Sequence, residues 1–296
     1  MTLPKTNHQS PITNHQTFVV KLGGTEGVDF TAICQDAVHW LEAGHKIIFV
    51  HGGSAEANAL GDALGNPPRF VTSPSGYTSR YTDRDTLEIF LMAVNGKINS
   101  LLVEELQSLG INAFGLSGID GQLIQAQRKA AITITENGKR KILRDDYTGK
   151  ITGINTALLA TLLEGGYLPV IAPLAVSENG ETLNVDADRA AAMIAAALGA
   201  DTLILLTAVP GLMRCFPDES TLIPKIPQSQ LATALEFAEG RMKKKILGAQ
   251  EALESGAKQV IIADGRVASP ITNALNGNGT IIQQHGDSRS AQRINT

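Results

Sequence analysis

Short apolar runs alternate with longer amphipathic ones along most of the chain. Phe18, Val19 and Val20 open the series within residues 17–21, a strand signal apolar enough for burial on both faces. The pattern then predicts a helix over 29–43 with Asp29 as its N-cap, a strand over 46–50, and a helix from 54 to about 64. Residues 83–109 carry Leu87, Leu91, Val94, Ile98, Leu102 and Leu109 on one stripe, which predicts a long amphipathic helix. Gly96 inside it lowers helix stability by about 1 kcal/mol, a loss that close packing against another backbone would explain. Residues 112–118 read as a strand end. Residues 130–146 alternate in polarity and turn at Asn137-Gly138, a hairpin signal. A helix over 155–164, a strand over 167–175 and a loop entering a helix over 183–199 follow. Strand 201–207, helix 240–256 and strand 258–265 complete the series.

Such alternation argues an α/β fold: a three-layer αβα sandwich around a mainly parallel central sheet with helices on both faces. The ends fall outside the series. Residues 1–16 are polar and hold TNHQ twice, so they are expected to be a disordered extension without function. Residues 285–296 are expected to be a flexible tail.

Composition narrows the function classes. With 296 residues and 43% hydrophobic content the chain can bury a sizeable core. A net charge of −4 gives no overall footprint for nucleic acid, and 4% aromatic residues give no stacking platform. No apolar run reaches the length of about 18 residues that a membrane span needs, and no secretory signal opens the chain. Cys34 and Cys215 form no CxxC pair, so neither a disulfide framework nor a structural metal is expected. A reducing cytoplasm is the expected setting.

The candidate chemistry lies where strands end. Neither GxGxxG nor GxxxxGK(S/T) occurs, yet a parallel sheet still binds ligands beyond the carboxyl ends of its strands. Gly23-Gly24 and Gly52-Gly53 each follow a strand. Glycine lets backbone N–H groups approach an anion, and a following helix N-terminus adds partial positive charge. Lys21 stands between the first strand and its glycines, where a cation would meet a transferring phosphoryl group. The alternative is a lysine that extends its ammonium from the strand into water.

These residues belong to a wider set. "VVKLGG", "VHGGS", "SRYTDRDTLEIF", "GLSGIDG", "LNVDAD" and "GRMKKK", in this order and spacing, resemble the amino-acid kinase superfamily and its acetylglutamate kinase branch. Several details are most similar to the LysW-aminoadipate kinase group. They are Ser54 in place of a third glycine, "GNPPRF" (65–70), "RYTD" (80–83), Asp186 in place of asparagine, and "GRMKKK" in place of Gly-Gly-Met-x-Pro-Lys. The resemblance covers residues 17–284.

The resemblance implies ATP-dependent phosphorylation of the side-chain carboxylate of α-aminoadipate, carried on the acidic amino-group carrier protein LysW, for lysine biosynthesis. It leaves open acetylglutamate kinase activity for arginine biosynthesis, an enzyme serving both pathways, and a non-catalytic amino-acid sensor. It implies an amino-acid binding lobe over 17–195 and an ATP-binding lobe over 196–284 within one continuous domain. Lys21 and Lys245 would stabilise the transition state, and Asp188 would hold both lysines. Arg80 and Asn184 would bind the acceptor's amino-acid end. Gly23, Gly24, Gly52 and Gly53 would offer backbone N–H groups, and Ser54 a hydroxyl. Thr207 and Gly211, in the strand exit 203–212, would line the ATP site, with Asp264 a further contributor. Mg²⁺ would arrive with ATP on phosphate oxygens. A carboxylate nucleophile is ionised at neutral pH and needs no general base, so His51 reads as structural. A homodimer through the 83–109 helix is also implied. The basic residues Lys129, Lys139, Arg140, Lys141 and Arg144 have two readings: charges guarding an edge strand, or a lid that attracts the acidic carrier.

Overall fold

The computed structural model describes residues 15–24, 28–74, 76, 78–129, 131–136 and 138–283. The tail expected over 285–296, and the extension except for residues 15 and 16, lie outside these, as does Asn137 of the hairpin turn. In chain order, β1 (Thr17–Leu22) is followed by α1 (Phe30–Glu42), β2 (Lys46–His51) and α2 (Ser54–Ala63). An antiparallel pair, β3 (Phe70–Thr72) and β4 (Thr78–Arg80), precedes α3 (Arg84–Leu91), a π-helical segment (Met92–Asn99) and α4 (Ser100–Ser108). Next come β5 (Ala113–Ser117), β6 (Ile124–Arg128), β7 (Ile132–Glu136), β8 (Lys139–Leu143) and β9 (Gly149–Ile154). Then α5 (Thr156–Glu164), β10 (Leu168–Ala172), β11 (Leu174–Val176) and β12 (Thr182–Asn184) lead to α6 (Ala187–Leu198). The remainder holds β13 (Thr202–Thr207), β14 (Lys225–Pro227), α7 (Leu231–Ala234) and α8 (Gly240–Glu254). It ends with β15 (Gln259–Asp264), α9 (Pro270–Leu275) and β16 (Thr280–Gln283).

Eight strands form the central sheet in the order β14-β16-β15-β13-β1-β2-β10-β5. Every neighbouring pair is parallel except β15 with β16. The period of two in β1 divides its side chains between two cores. Val19 joins Ile48, Val50 and the inner faces of α6 and α8. Phe18, Val20 and Leu22 join Ile33 and Ala37 of α1, Leu102 and Leu106 of α4, and Ile271 of α9. The expected three layers follow directly. The sheet runs through both expected lobes, because β1 pairs with β13, and the division at 195/196 falls inside α6.

Local signals explain most element boundaries. Asp29 caps α1 by accepting the N–H groups of Thr31 and Ala32, and Asn155 caps α5 through the Leu158 N–H. The hairpin β7–β8 pairs Glu136 with Lys139 across its turn, and Gly138 takes a φ of +74°, which suits glycine.

Two expectations are corrected. The apolar run 167–175 is two strands in two sheets. Pro173 separates them and has no N–H for a continuing ladder, and β11 joins a four-stranded sheet in the order β12-β11-β6-β9. Gly96 packs against no backbone; a Cβ there would meet nothing within 4 Å. The helical stretch Arg84–Ser108, 25 residues long, is apolar enough by length and composition alone to cross a membrane, the only such helix among the described residues. Here it carries core side chains, with Leu87, Phe90, Val94, Leu102 and Leu106 buried in the fold.

Candidate active site

Lys21 lies two residues beyond Val19 in β1 and so faces the same side, the one covered by α6 and α8. Asp186 caps α6 by accepting the Arg189 N–H at 3.1 Å, and the first turn of that helix presents Asp188. Lys245 comes from the second turn of α8. Lys21 Nζ lies 2.9 Å from Asp188 Oδ1, and Lys245 Nζ donates to both carboxylate oxygens at 3.0 Å. None of the three side chains is more than 13% exposed.

Burying charges is unfavourable by several kcal/mol each unless they are paired. One carboxylate cannot neutralise two ammonium groups, so the cluster keeps one positive charge in excess. Burial pushes the Asp188 carboxyl up, but the two lysines more than offset this and hold it well below the usual carboxylate range. Burial, helped by repulsion from Lys21, pushes Lys245 down to about 8 against the opposing pull of Asp188. Lys244, its neighbour in sequence, instead donates to the Thr78 carbonyl at 2.9 Å. Of these neighbours it is Lys245 whose ammonium the fold brings to Asp188.

The two glycine pairs come together beside this cluster because β1 and β2 are parallel neighbours, with Leu22 opposite His51. A Cβ on Gly24 would stand 2.9 Å from Gly53 N, and one on Gly52 would stand 3.2 Å from Gly24 N. Only glycine allows this approach of two backbones. Gly53 is further confined by Val94 and Ile98 of the π-helical segment, and Gly23 is buried. His51 beneath the loops is fully buried. Its Nδ1 lies 2.8 Å from the Gly52 carbonyl, and Asn99 donates to Nε2 at 3.1 Å. That pattern needs a neutral ring protonated at Nδ1, and burial pushes its pKa down to about 4. This is a structural histidine.

Arg80 ends β4 and is buried. Its Nη2 donates to Asn58 Oδ1 at 2.6 Å, Ser54 Oγ at 2.9 Å and the Ser54 carbonyl at 3.2 Å, and its guanidinium lies 5.2 Å from the Phe70 ring centre. No carboxylate pairs with it among the described residues, and the acceptors that orient the cation are neutral. Asn184, at the end of β12, donates to the Thr82 hydroxyl at 3.1 Å, two residues along the chain from Arg80. Sequence reasoning missed Asn58 and Thr82. Asn58 stands four residues after Ser54 on one helix face, a spacing that could have revealed it; Thr82 lies within the RYTD motif (80–83), two residues from Arg80, which could have pointed to it.

The expected nucleotide residues occupy the exits of β13 and β15. Thr207 stands opposite Asp264, and its carbonyl accepts the Gly265 N–H at 2.7 Å. Arg266 closes back on Asp264 at 2.6 Å. Gly211 has a packing reason of its own, since a Cβ would meet Thr280 Oγ1 at 2.5 Å. No cluster of three or more His, Cys, Asp or Glu side chains that could hold a metal occurs among the described residues.

The chain is 54% identical over 264 residues to a LysW-aminoadipate kinase of Deinococcus radiodurans, covering 89% of this chain and 90% of the relative. It is 49% identical over 267 residues to a LysW-aminoadipate kinase of Thermus thermophilus, covering 90% and 99%. Among solved structures, N-acetylglutamate synthase from Neisseria gonorrhoeae, complexed with coenzyme A and N-acetyl-glutamate, superposes with a TM-score of 0.74 at 26% identity. That match covers 92% of this chain, which spans 60% of the longer synthase chain. Residues 16–264 match the amino acid kinase family, and the chain belongs to that family.

Proposed function

We propose that the protein transfers the terminal phosphoryl group of ATP to the side-chain carboxylate of α-aminoadipate held on an acidic amino-group carrier protein, LysW, for lysine biosynthesis. The observation that carries this reading is the positive charge left over at Lys21, Asp188 and Lys245, together with a second buried cation, Arg80, that has no anion of its own among the described residues. A carboxylate oxygen of the acceptor forms the new P–O bond. The bond from phosphorus to its bridging oxygen breaks, and that electron pair leaves with ADP. The acceptor carboxylate is ionised at neutral pH, so alignment and charge neutralisation suffice.

In this reading Lys21 and Lys245 face the transferring group, and Asp188 keeps them in place. Gly23, Gly24, Gly52 and Gly53 give backbone N–H groups to oxygens of phosphate and acceptor. Arg80 takes the acceptor's α-carboxylate; Ser54 and Asn58 hold Arg80, and Asn184 binds the acceptor beside it. Residues 17–195 form the acceptor lobe and residues 196–284 the nucleotide lobe, with Thr207 and Gly211 lining it. Mg²⁺ arrives on the phosphates, because the described residues offer no carboxylate cage for it.

The exposed β7–β8 hairpin is the proposed docking element for the carrier. Lys139, Arg140 and Lys141 are exposed on it, although Glu136 already takes Lys141 at 3.1 Å and Arg69 at 3.0 Å. Complementary potential would speed encounter more than it would tighten binding. A homodimer through the long helical stretch is proposed because Met92 and Leu101 are exposed there. A cytoplasmic setting suits two free cysteines.

Hydroxylamine trapping of the acyl phosphate, with Mg-ATP and either carrier-bound aminoadipate or free N-acetylglutamate, tests the reading. Turnover confined to the carrier-bound acceptor supports it. Efficient turnover of free N-acetylglutamate alone would move the enzyme to arginine biosynthesis.

A further inference from the structure

The segment joining β8 to β9 contains a completely buried carboxylate, Asp146. A buried carboxylate needs donors around it. No lysine or arginine side chain pairs with this one among the described residues, and its donors are neutral. The Thr82 N–H donates to Oδ1 at 3.0 Å, while the N–H of Thr148 at 3.4 Å and the Thr148 hydroxyl donate to Oδ2.

These bonds belong to one connected set. The Tyr147 N–H donates to the Thr82 carbonyl at 2.7 Å, and the Asn184 N–H donates to the Tyr147 carbonyl at 2.8 Å. Asn184 Nδ2 reaches the Thr82 hydroxyl, which itself donates to the Arg80 carbonyl at 3.3 Å. From outside, Arg128 donates to the Asp146 carbonyl at 3.0 Å and stacks on Tyr147, its guanidinium carbon 3.6 Å from the ring centre. Arg80 and Asn184 come from distant parts of the chain, and this set is what fixes their spacing.

We infer that Asp146 is a positioning residue for the acceptor, clamping the Thr82 and Thr148 segments so that Arg80 and Asn184 face the same ligand. The inference rests on the reading of those two residues as acceptor-binding. Asparagine at position 146 has the same shape, but its NH₂ accepts no hydrogen bond: the Thr148 hydroxyl can turn to accept from it, while the Thr148 N–H loses its acceptor. A buried donor is then left without a partner, which is unfavourable by an amount worth roughly tenfold in an equilibrium.

The test is Asp146→Asn, with Thr148→Val as a milder variant and Thr148→Ser as the conservative control. Two readouts are taken: initial-rate kinetics with both substrates, and amide hydrogen exchange without ligand. KM for the acceptor should rise roughly tenfold in Asp146→Asn and less in Thr148→Val. KM for ATP should stay within about twofold, and Thr148→Ser should behave as wild type. The Thr82, Tyr147 and Asn184 amides should exchange faster, with those of β1 and β2 unchanged. A fall in kcat with both KM values unchanged would overturn the acceptor role. Unchanged exchange at those three amides would overturn the clamp. A wild type inactive on every carboxylate acceptor, with the amides responding, would overturn the functional reading and the acceptor role together, leaving only a structural clamp.

Discussion

Asp188→Asn removes the one negative charge between two ammonium groups while keeping the side chain's shape. Both Nζ atoms lie within 3.0 Å of the same carboxylate oxygen, so they are at most about 6 Å apart. At an effective dielectric of about 20, two unit charges at that distance repel by about 3 kcal/mol. Only the more weakly acting Asp186 is left to oppose that repulsion in the variant. Lys245, already pushed down to about 8 by burial and by Lys21, loses the larger of its two opposing carboxylates and falls further. It therefore sheds its proton near neutral pH. Losing about 3 kcal/mol of transition-state stabilisation corresponds to a roughly hundredfold fall in kcat. The assay is hydroxamate formation at saturating substrates across about pH 5.5 to 9.5, a window that brackets this titration. Wild-type activity should decline as pH rises through about 8, and the decline should begin at lower pH in the variant. An alkaline limb that stays in place, or a fall in kcat below about threefold, would refute the reasoning.

Arg80→Lys keeps the charge and loses the planar fork, so the acceptor's KM should rise by about ten- to a hundredfold with the KM for ATP unchanged; initial-rate kinetics decide, and an unaltered acceptor KM would remove Arg80 from that role. Gly24→Ala places a Cβ 2.9 Å from Gly53 N, a backbone atom that cannot yield without moving the start of α2. It should lower kcat by more than about tenfold, and wild-type turnover would show that the loops need no such approach. Buried His51 titrates at about 4 in the fold and near 6.5 when unfolded, so the unfolded chain binds the proton first. Its contribution is intact above pH 6.5 and falls away toward pH 4 by about 3 kcal/mol. Urea unfolding at several pH values checks this, and an equal acid slope in His51→Gln would assign the loss to other groups.

Where an element is specified by residues next to one another, the sequence revealed it. The apolar interior of β1, the Asp29 cap of α1 and the turn glycine of the hairpin all act over a few residues. The charge cluster was legible for another reason: Lys21, Asp188 and Lys245 each sit in a motif whose order along the chain is distinctive, although they meet only in the folded protein. What the sequence hid depends on partners far away. Pro173 marks a break within residues 167–175, but nothing there says which sheet the chain enters next, and that choice depends on the ladders waiting on either side of it. Gly96 looked like a packing glycine, but the close approach is made by Gly53 against Val94 and Ile98. Asp146 and Thr82 lie far apart along the chain and meet only in the folded protein, where Asn184 of β12 joins them.

The order of strands in the central sheet has a consequence for how the chain is made. β1 finds one neighbour, β2, within its first fifty or so residues, but its other neighbour, β13, spans Thr202–Thr207. Until those residues leave the ribosome, Phe18, Val19 and Val20 present an apolar strand edge with nothing to pair with, which is the surface that recruits other unfinished chains. A fragment ending just before β13 should therefore aggregate on release, and one extended through β16 should not; sedimentation of the two translation products would tell them apart. Lys245 emerges later still, so a nascent chain holds Lys21 and Asp188 long before the second lysine can join them.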